Sequence, residues 1–446
     1  YDPLGNLIKR IDANGIVTNY TFDKDNRLTK IAYPYGPATT LAYDPNDNLI
    51  GMVDASGQSA FTYDGLNRLT QAGHTTGLLA DKKLDYSYDR DGNRTQIIYP
   101  DGKQVNYTYN ANDWLTSTKN PTGITTYTYD PVGLLTHQQN PNDTWTDWTY
   151  DDADRLIELF NGKPPASTNL ISNFEYTLDP VGNRVRTVET ETRGQAVTWT
   201  KDYTYDELYR LTQSVETPSA KPYQTLLSVF DYDAVGNRLS METNVTDRPN
   251  TPALPPAVTT HYKYDDANQL ISFKTTGPGI GGAQQTDFTY DDNGNRITMS
   301  GPTRAIDYSY DFENRLVAAT TFDVLNNNKQ QLDATLNFRY DGLNRRVERS
   351  IMEKGVRKSG NYLYDGLGYD LLAQYVNPGA PQTTHYYRDP MQVLSRQEIQ
   401  GKGAGLNYFY HYDGLGSVSA WTNQAGKETQ EYTYAPYGRL IDNNGP

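Results

Sequence analysis

The 446-residue sequence has no cysteine, only five histidines, no long apolar run and no run of basic residues. Without cysteine the chain forms neither disulfide bonds nor thiolate metal sites. A net charge of −14 without basic clusters argues against nucleic-acid binding, which needs lysine and arginine close to phosphates. No apolar segment reaches the roughly 20 residues of a membrane-spanning helix. The composition therefore points away from disulfide scaffolds, nucleic-acid binders and helical membrane proteins.

Aliphatic residues are scarce as well. Hydrophobic residues make up 36% of the chain, and 38 residues are tyrosine. A single thick core would need more leucine, isoleucine and valine. A broad sheet, in contrast, packs tyrosine rings while their hydroxyls stay hydrogen-bonded.

What the chain does contain is a repeat. The segment FTYDGLNRLTQ at residues 61–71 returns as FRYDGLNRRVE at residues 338–348. Alignment on the Tyr-Asp pair gives 19 unit starts between Tyr1 and Tyr434, spaced on average about 24 residues apart. This spacing is typical of repeat architectures. We therefore expect one continuous array in which each unit contacts its neighbours.

Two positions of the unit predict a turn. Position five, counted from the tyrosine, is Gly, Asn or Asp in 17 of 19 units, and only Tyr209 and Met391 depart from this pattern. Gly, Asn and Asp tolerate the positive φ that other residues resist through Cβ, so we predict a left-handed residue there. Position two is Asp in 16 units, and its carboxylate can accept following N–H groups and close the turn. The predicted structural turn positions include Asp64, Asn67, Gly92, Gly133, Gly182, Gly236, Gly294, Asp341, Asn344 and Gly416.

The segments around each turn look like strands. Phe61-Thr62-Tyr63 precedes one turn and Arg68-Leu69-Thr70 follows it, and aromatic and β-branched residues with a period of two are typical of strands. A looser turn signal falls midway through many units. The predicted fold class is all-β, built from tandem β-hairpins in a long antiparallel sheet.

The units YDGLNRL, YDRDGNRT, YDAVGNRL and YDDNGNRI strongly resemble the Rhs/YD repeats of bacterial polymorphic toxins, insecticidal toxin-complex C components and teneurins. The resemblance covers the entire chain. It implies that the hairpins join edge to edge into a sheet that spirals into a hollow shell. In the toxins of this family, the shell encloses a C-terminal toxic polypeptide.

Residues 410–442, YHYDGLGSVSAWTNQAGKETQEYTYAPYGRLID, resemble the opening of the Rhs-associated core region. In the family, this region leads into an autoproteolytic segment with paired DPxG motifs and then into the toxin. We therefore expect a repeat array over 1–409 and the start of a core region over 410–446, both cut from a longer chain. The DPVG strings at 130–133 and 179–182 lie at repeat turns, so we assign them no protease role.

Three further motifs are better explained as turns than as metal, nucleotide or catalytic sites. Segments 89–93 and 291–295 evoke calcium loops but lack the closing glutamate. Gly277, Gly279 and Gly282 match G-x-G-x-x-G, but a strand pattern follows where a dinucleotide site needs a helix. The many aspartates could suggest a glycosidase pair, yet their place beside the left-handed residue already explains them. We predict no catalytic residue, no cofactor and no metal site.

Two functions are consistent with these features. The first is a non-enzymatic scaffold, part of a shell that encapsulates the toxin of a secreted bacterial protein. Its partners would be the rest of its parent chain (plug, core region and toxin cargo), with delivery-apparatus proteins as further candidates. The second is an extracellular wall-associated or adhesin-type protein that binds glycans or partner proteins, for example through Trp145 and Trp148. Either function places the protein outside a bacterial cell or on its surface, without nucleic-acid partners and without a membrane span.

The left-handed assignment is testable at Asn67 and Asn344. Replacing either residue with valine should lower the free energy of unfolding by about 1–2 kcal/mol, because a β-branched residue clashes at positive φ. Replacement with glycine should be tolerated. Thermal unfolding of the four variants checks this, and equal melting temperatures for the valine and glycine variants would contradict the assignment.

Overall fold

The computed structural model describes residues 1–164, 170–193, 195–219, 224–246, 257–325, 329–377, 382–401, 403, 405–434 and 440–444. These residues form 37 β-strands and no helix, which confirms the predicted all-β class. No helix in the described ranges is therefore long and apolar enough to cross a membrane.

The chain divides into two compact units, and the first comprises residues 1–108, 287–392 and 396–405. Its strands, some of which extend slightly past these limits, are β1 (Lys9–Ile11), β2 (Val17–Phe22), β3 (Leu28–Ala32), β4 (Thr39–Tyr43), β5 (Leu49–Asp54), β6 (Gly57–Tyr63), β7 (Leu69–Gly77), β8 (Lys82–Tyr88), β9 (Arg94–Ile98), β10 (Gln104–Tyr109), β24 (Gln284–Tyr290), β25 (Arg296–Ser300), β26 (Arg304–Tyr310), β27 (Leu316–Val324), β28 (Gln330–Tyr340), β29 (Arg346–Glu353), β30 (Val356–Tyr364), β31 (Leu371–Asn377) and β32 (Gln382–Arg388).

The second unit comprises residues 109–286, 393–395 and 406–446. Its strands are β11 (Leu115–Asn120), β12 (Gly123–Tyr129), β13 (Leu135–Gln139), β14 (Trp145–Tyr150), β15 (Leu156–Gly162), β16 (Leu170–Leu178), β17 (Arg184–Arg193), β18 (Gln195–Tyr205), β19 (Leu211–Pro218), β20 (Thr225–Tyr232), β21 (Arg238–Thr246), β22 (Val258–Tyr264), β23 (Leu270–Thr276), β34 (Leu406–Tyr412), β35 (Val418–Asn423), β36 (Glu428–Tyr434) and β37 (Leu440–Asn444). Strand β33 (Val393–Gln400) contributes residues to both units.

Within each unit, the strands pair antiparallel with their neighbours in sequence. In the first unit, β6 pairs with β7 so that Thr62 lies opposite Gln71 and Tyr63 lies opposite Leu69. The register therefore shifts by one residue beside the turn. The second unit shows the same shift between Thr149 and Tyr150 where β14 pairs with β15. Such bulges bend and twist a hairpin.

One face of these hairpins is buried and the other is exposed. In β6, Ser59 and Phe61 are buried while Ala60 and Thr62 are exposed, as expected from the alternation of side chains along a strand. The residue two places before the first position of the repeat is a buried aromatic in many repeats, namely Phe61, Tyr86, Tyr107, Tyr127, Tyr176, Phe230, Phe288 and Tyr362. Aromatic side chains thus recur along the buried face, where they pack beside aliphatic residues such as Leu84 and Leu363.

In the first unit, early hairpins contact late hairpins through specific polar bonds. The Tyr99 hydroxyl donates to the carbonyl of Tyr386 at 2.9 Å. Arg94 forms an ion pair with Asp365 at 2.6 Å, and its guanidinium lies 5.7 Å from the centre of the Tyr86 ring. These contacts join segments that are more than 270 residues apart in sequence.

In the second unit, the corresponding contact is a buried polar seam between β34–β35 and the early hairpins. The amide of Asn142 donates to the Thr422 hydroxyl at 3.0 Å, and the amide of Asn161 donates to the carbonyl of Tyr412 at 3.0 Å. His411 is fully buried in this seam, with Nε2 2.9 Å from the Thr422 hydroxyl. Burial lowers the pKa of His411 to about 3, and the charge of Lys163 acts in the same direction.

His411 should make the protein sensitive to acid. Above pH 6.5 the imidazole is neutral in both the folded and the unfolded chain, so the contribution to stability is complete. Between pH 6.5 and the folded-state pKa of about 3, only the unfolded chain takes up the proton, so the free energy of unfolding falls as the pH falls. At about pH 4.5, the loss should be on the order of 2–3 kcal/mol.

Denaturant unfolding of wild type and His411→Gln near pH 7 and near pH 4.5 measures this loss. The variant should lose less stability on acidification than wild type. The matched control is His261→Gln, because His261 is exposed. An identical pH dependence in all three proteins would contradict the role of His411.

Candidate functional site

The most regular feature of the structure is the set of turns at positions two to six of the sequence repeats. We call this set of turns the turn ladder. In the turn of Asp64, the N–H of Asn67 donates to the carbonyl of Asp64, and the N–H of Asp64 donates to the carbonyl of Arg68, both at 3.0 Å. One carboxylate oxygen of Asp64 also accepts the N–H groups of Leu66 and Arg68 at 2.9 Å. This is a type I turn followed by a left-handed residue, a geometry common in hairpins with three-residue loops.

The predicted position-five residues lie at positive φ. The values are 61° at Asn67, 64° at Asn344, 97° at Gly92, 99° at Gly133, 97° at Gly182, 99° at Gly236, 83° at Gly294 and 80° at Gly416. Asp341 accepts the N–H groups of Leu343 and Arg345 at 3.0 and 2.9 Å, in the same way as Asp64.

Three turns depart from the residue type or the conformation expected at position five. Met391 does not adopt a positive φ. Tyr209 adopts φ of 60°, so hairpin geometry imposes the left-handed conformation even on an aromatic residue. In the turn of Asp365, Gly366 and not Gly368 has a positive φ, because the N–H of Asp365 donates to the carbonyl of Asp370 and the loop is one residue longer. Gly438 lies outside the described residues.

Position six joins many of the turns to the next one, a role that was not predicted from the sequence. The Nε of Arg68 donates to Asp64 at 2.7 Å, and its Nη1 donates to the carbonyl of Asp89 in the following turn at 2.7 Å. The guanidinium also lies 4.9 Å from the centre of the Tyr88 ring. The same pair of bonds recurs at Arg27, Arg155, Arg210 and Arg315.

Where position six is asparagine, its side-chain amide donates hydrogen bonds both within its own turn and to the next turn. The Nδ2 of Asn48 donates to Asp44 and to the side-chain oxygen of Asn67, both at 2.9 Å. The signal was present in the sequence, since position six is Arg or Asn in most units. Its role could not be read there, because the second acceptor belongs to another repeat.

The repeat tyrosine supplies a second link between neighbouring hairpins. The hydroxyl of Tyr63 donates to the carbonyl of Leu49 at 3.0 Å, and that of Tyr88 donates to the carbonyl of Leu69 at 2.9 Å. In the second unit, Tyr205 and Tyr232 donate to Arg184 and Leu211 in the same manner. Each ring therefore packs in the sheet while its hydroxyl is satisfied.

The turn carboxylates are already occupied by hydrogen-bond donors. The backbone N–H of Arg68 lowers the pKa of Asp64, and the Arg68 side chain lowers it further. Asp179, in the second DPVG string, accepts the amide of Asn183 at 2.8 Å besides two backbone N–H groups. An ionised, fully bonded carboxylate is poorly suited to general acid–base work. No group of three or more His, Asp or Glu residues that could hold a metal occurs in the described part of the chain.

The tryptophans named for glycan binding, Trp145 and Trp148, pack against neighbouring side chains. Trp148 packs on the buried cluster of Leu159, Phe174 and Tyr176. Trp145 packs on Gly162 and on Phe160, with ring centres 6.3 Å apart in the aromatic pair.

Comparison with known proteins agrees with this architecture. Residues 1–163 match the family model described as Teneurin YD-shell. A crystal structure of TcdB2-TccC3-TEV superposes with a TM-score of 0.79 over 100% of this chain and 24% of that chain, at 16% sequence identity. The chain has the YD-shell fold.

Two curated toxins are similar in sequence to this chain over part of their length. The double-stranded DNA deaminase toxin A of Burkholderia cenocepacia is 23% identical over 96% of this chain and 27% of its own length. The toxin subunit YenC1 of Yersinia entomophaga is 22% identical over 69% of this chain and 36% of its own length. This chain thus spans little more than a third, at most, of either relative.

The two copies of the motif YDGLNR offer a matched test of the turn ladder. Arg345 and Asp341 are paired at 2.7 Å with side chains only 2% and 0% exposed, whereas Arg68 and Asp64 form the same bond with side chains 26% and 24% exposed. Arg345→Ala should lower the free energy of unfolding by about 3–5 kcal/mol, because it leaves a buried carboxylate without its partner. Arg68→Ala should cost much less, because water can solvate Asp64.

Denaturant unfolding of the two variants and wild type measures the difference. Arg68→Ala is the control for loss of the guanidinium itself, since both arginines also bond to the following turn. Equal losses in the two variants would show that burial does not govern the strength of this bond.

Proposed function

We propose that this chain is a wall segment of a hollow, non-enzymatic YD-repeat shell that encapsulates the C-terminal toxin of a secreted bacterial protein. The observation that carries the proposal is the turn ladder, in which carboxylates, guanidinium groups and amides serve to join one hairpin to the next. The YD-shell fold supports a scaffold role. The enzymatic activities named for similar proteins, such as the double-stranded DNA deaminase toxin, refer to much longer chains.

The proposal includes the domain organisation. Residues 1–409 form the repeat wall, and residues 410–446 begin a core region that leads toward the cargo. Asp64, Asp341 and the left-handed residues of the other turns have a structural role in it and bind no substrate. The partners are the remaining parts of the parent chain and the proteins of its delivery apparatus, outside the producing cell.

Protease protection in the parent protein tests the encapsulation. The polypeptide that follows this chain should resist proteinase K while the shell is folded, and it should be digested once denaturant opens the wall. A detached copy of the same polypeptide, mixed with the 446-residue chain, is the control for intrinsic resistance. Digestion of the following polypeptide at the same rate in both samples, or a parent gene without such a segment, would contradict the proposal.

A further inference from the structure

A cavity of about 480 Å³ lies within the second unit. It is lined by residues of β16 to β19 and by the turn between β34 and β35. That turn is fixed at Gly414, whose N–H donates to the Tyr176 hydroxyl at 2.8 Å and whose carbonyl accepts from Arg184 at 2.7 Å. An added Cβ at Gly414 would lie 2.6 Å from the Tyr176 hydroxyl oxygen, so the close approach requires glycine.

A row of buried charges crosses three strands along this cavity. Glu189 on β17, Lys201 on β18 and Glu216 on β19 are 7%, 7% and 3% exposed. Lys201 is ion-paired with Glu189 and lies directly opposite Glu216 in the strand register. Burial opposes the charge of Lys201, but Glu189 and Glu216 together raise its pKa. The row therefore places a permanent ammonium between two carboxylates.

Asp413 contributes a third carboxylate, and its environment differs from that of Asp64. Position six of its turn is Ser417, so the carboxylate has no guanidinium partner of the kind that Arg68 provides for Asp64. One oxygen accepts the N–H groups of Leu415 and Ser417 at 2.8 and 2.9 Å. Burial raises the pKa of Asp413 and outweighs the hydrogen bonds from Ser417, through its N–H and its hydroxyl, and from Leu415, which lower it; Glu189 adds a smaller increase. In contrast, the pKa of Asp64 is lowered.

Aromatic rings form much of the remaining wall, together with small, polar and leucine side chains. Phe174, Tyr203, Tyr205 and Tyr434 line the cavity, and Tyr176 lines it with one ring face covered by Arg184. Faces of such rings attract cations, most strongly where water is excluded. The cavity volume suits an organic molecule, and the described residues offer no cluster that could hold a metal ion.

We propose that this cavity binds an organic ammonium ion, with Asp413 as its counter-ion and the tyrosine rings packed against its carbon atoms. Arg184 is held by Gly414 and lies 4.0 Å from the centre of the Tyr176 ring, and Lys201 is held by Glu189. Neither Arg184 nor Lys201 is therefore positioned to neutralise the carboxylate of Asp413. The same chemistry is offered by a lysine side chain of a polypeptide and by a free polyamine. This site is independent of the encapsulation proposed above.

Calorimetric titration of the 446-residue chain with two probes, spermidine and N-acetyl-lysine-methylamide, tests the proposal. At least one probe should bind with one site per chain. A response to the lysine probe alone indicates a polypeptide side chain, and a response to spermidine alone indicates a free polyamine. No binding of either probe at millimolar concentration would overturn the proposal.

Asp413→Asn should weaken binding by about tenfold or more, because it removes the counter-charge. It should preserve the turn, since Asn110 and Asn423 close similar turns in this chain. The matched control is Asp130→Asn, which changes a turn carboxylate of the same unit outside the cavity. Glu216→Gln, which leaves every turn intact, provides a second variant that should also weaken binding.

The comparison of variants decides between a site and a general surface effect. Equal weakening in Asp413→Asn and Asp130→Asn would assign the binding to the overall negative charge of −14. Unchanged affinity in both Asp413→Asn and Glu216→Gln would likewise overturn the site.

Discussion

Each hairpin of this protein depends on a left-handed residue that a carboxylate holds in place. The type I turn brings the backbone to a point where the chain must reverse, and only a positive φ lets the second strand return in register. The carboxylate of Asp64 compensates for this by accepting two N–H groups that would otherwise lack partners. Because Tyr209 adopts the same conformation, the constraint belongs to the hairpin and not to the residue type.

The way in which hairpins are joined explains the unusual composition. Position six and the repeat tyrosine both reach a backbone carbonyl of a neighbouring unit. These bonds are polar, so the array needs little aliphatic material and tolerates a hydrophobic content of 36%. Stability in such an array is approximately a sum of contacts between neighbours. Loss of one such hydrogen bond therefore destabilises mainly the neighbouring hairpins, and the destabilisation is largest where the bond is buried.

The aspartate at position two of the repeat has a different chemical environment in different turns. Asp64 has a lowered pKa, accepts several hydrogen bonds and is partly solvated, which is consistent with the structural role that we propose for it. Asp413 occupies the equivalent place, but burial and the nearby Glu189 raise its pKa, and its turn stands beside a cavity. Perturbed carboxylates in clefts are candidates for binding sites. The cavity beside Asp413 is therefore the place in this array for which we propose ligand binding.

The sequence by itself determined the hairpin, its left-handed position and the all-β class, because these follow from local backbone sterics and from alternation along a strand. Only the tertiary structure decided which copy of a motif is buried. YDGLNR occurs at 63–68 and at 340–345, yet the second copy is covered by the segment that carries Asp54, whose carboxylate accepts the N–H of Gly342. The partner lies 288 residues away in sequence. No local pattern encodes burial by so distant a segment, and for the same reason the second acceptor of position six and the cavity beside Asp413 could not be predicted.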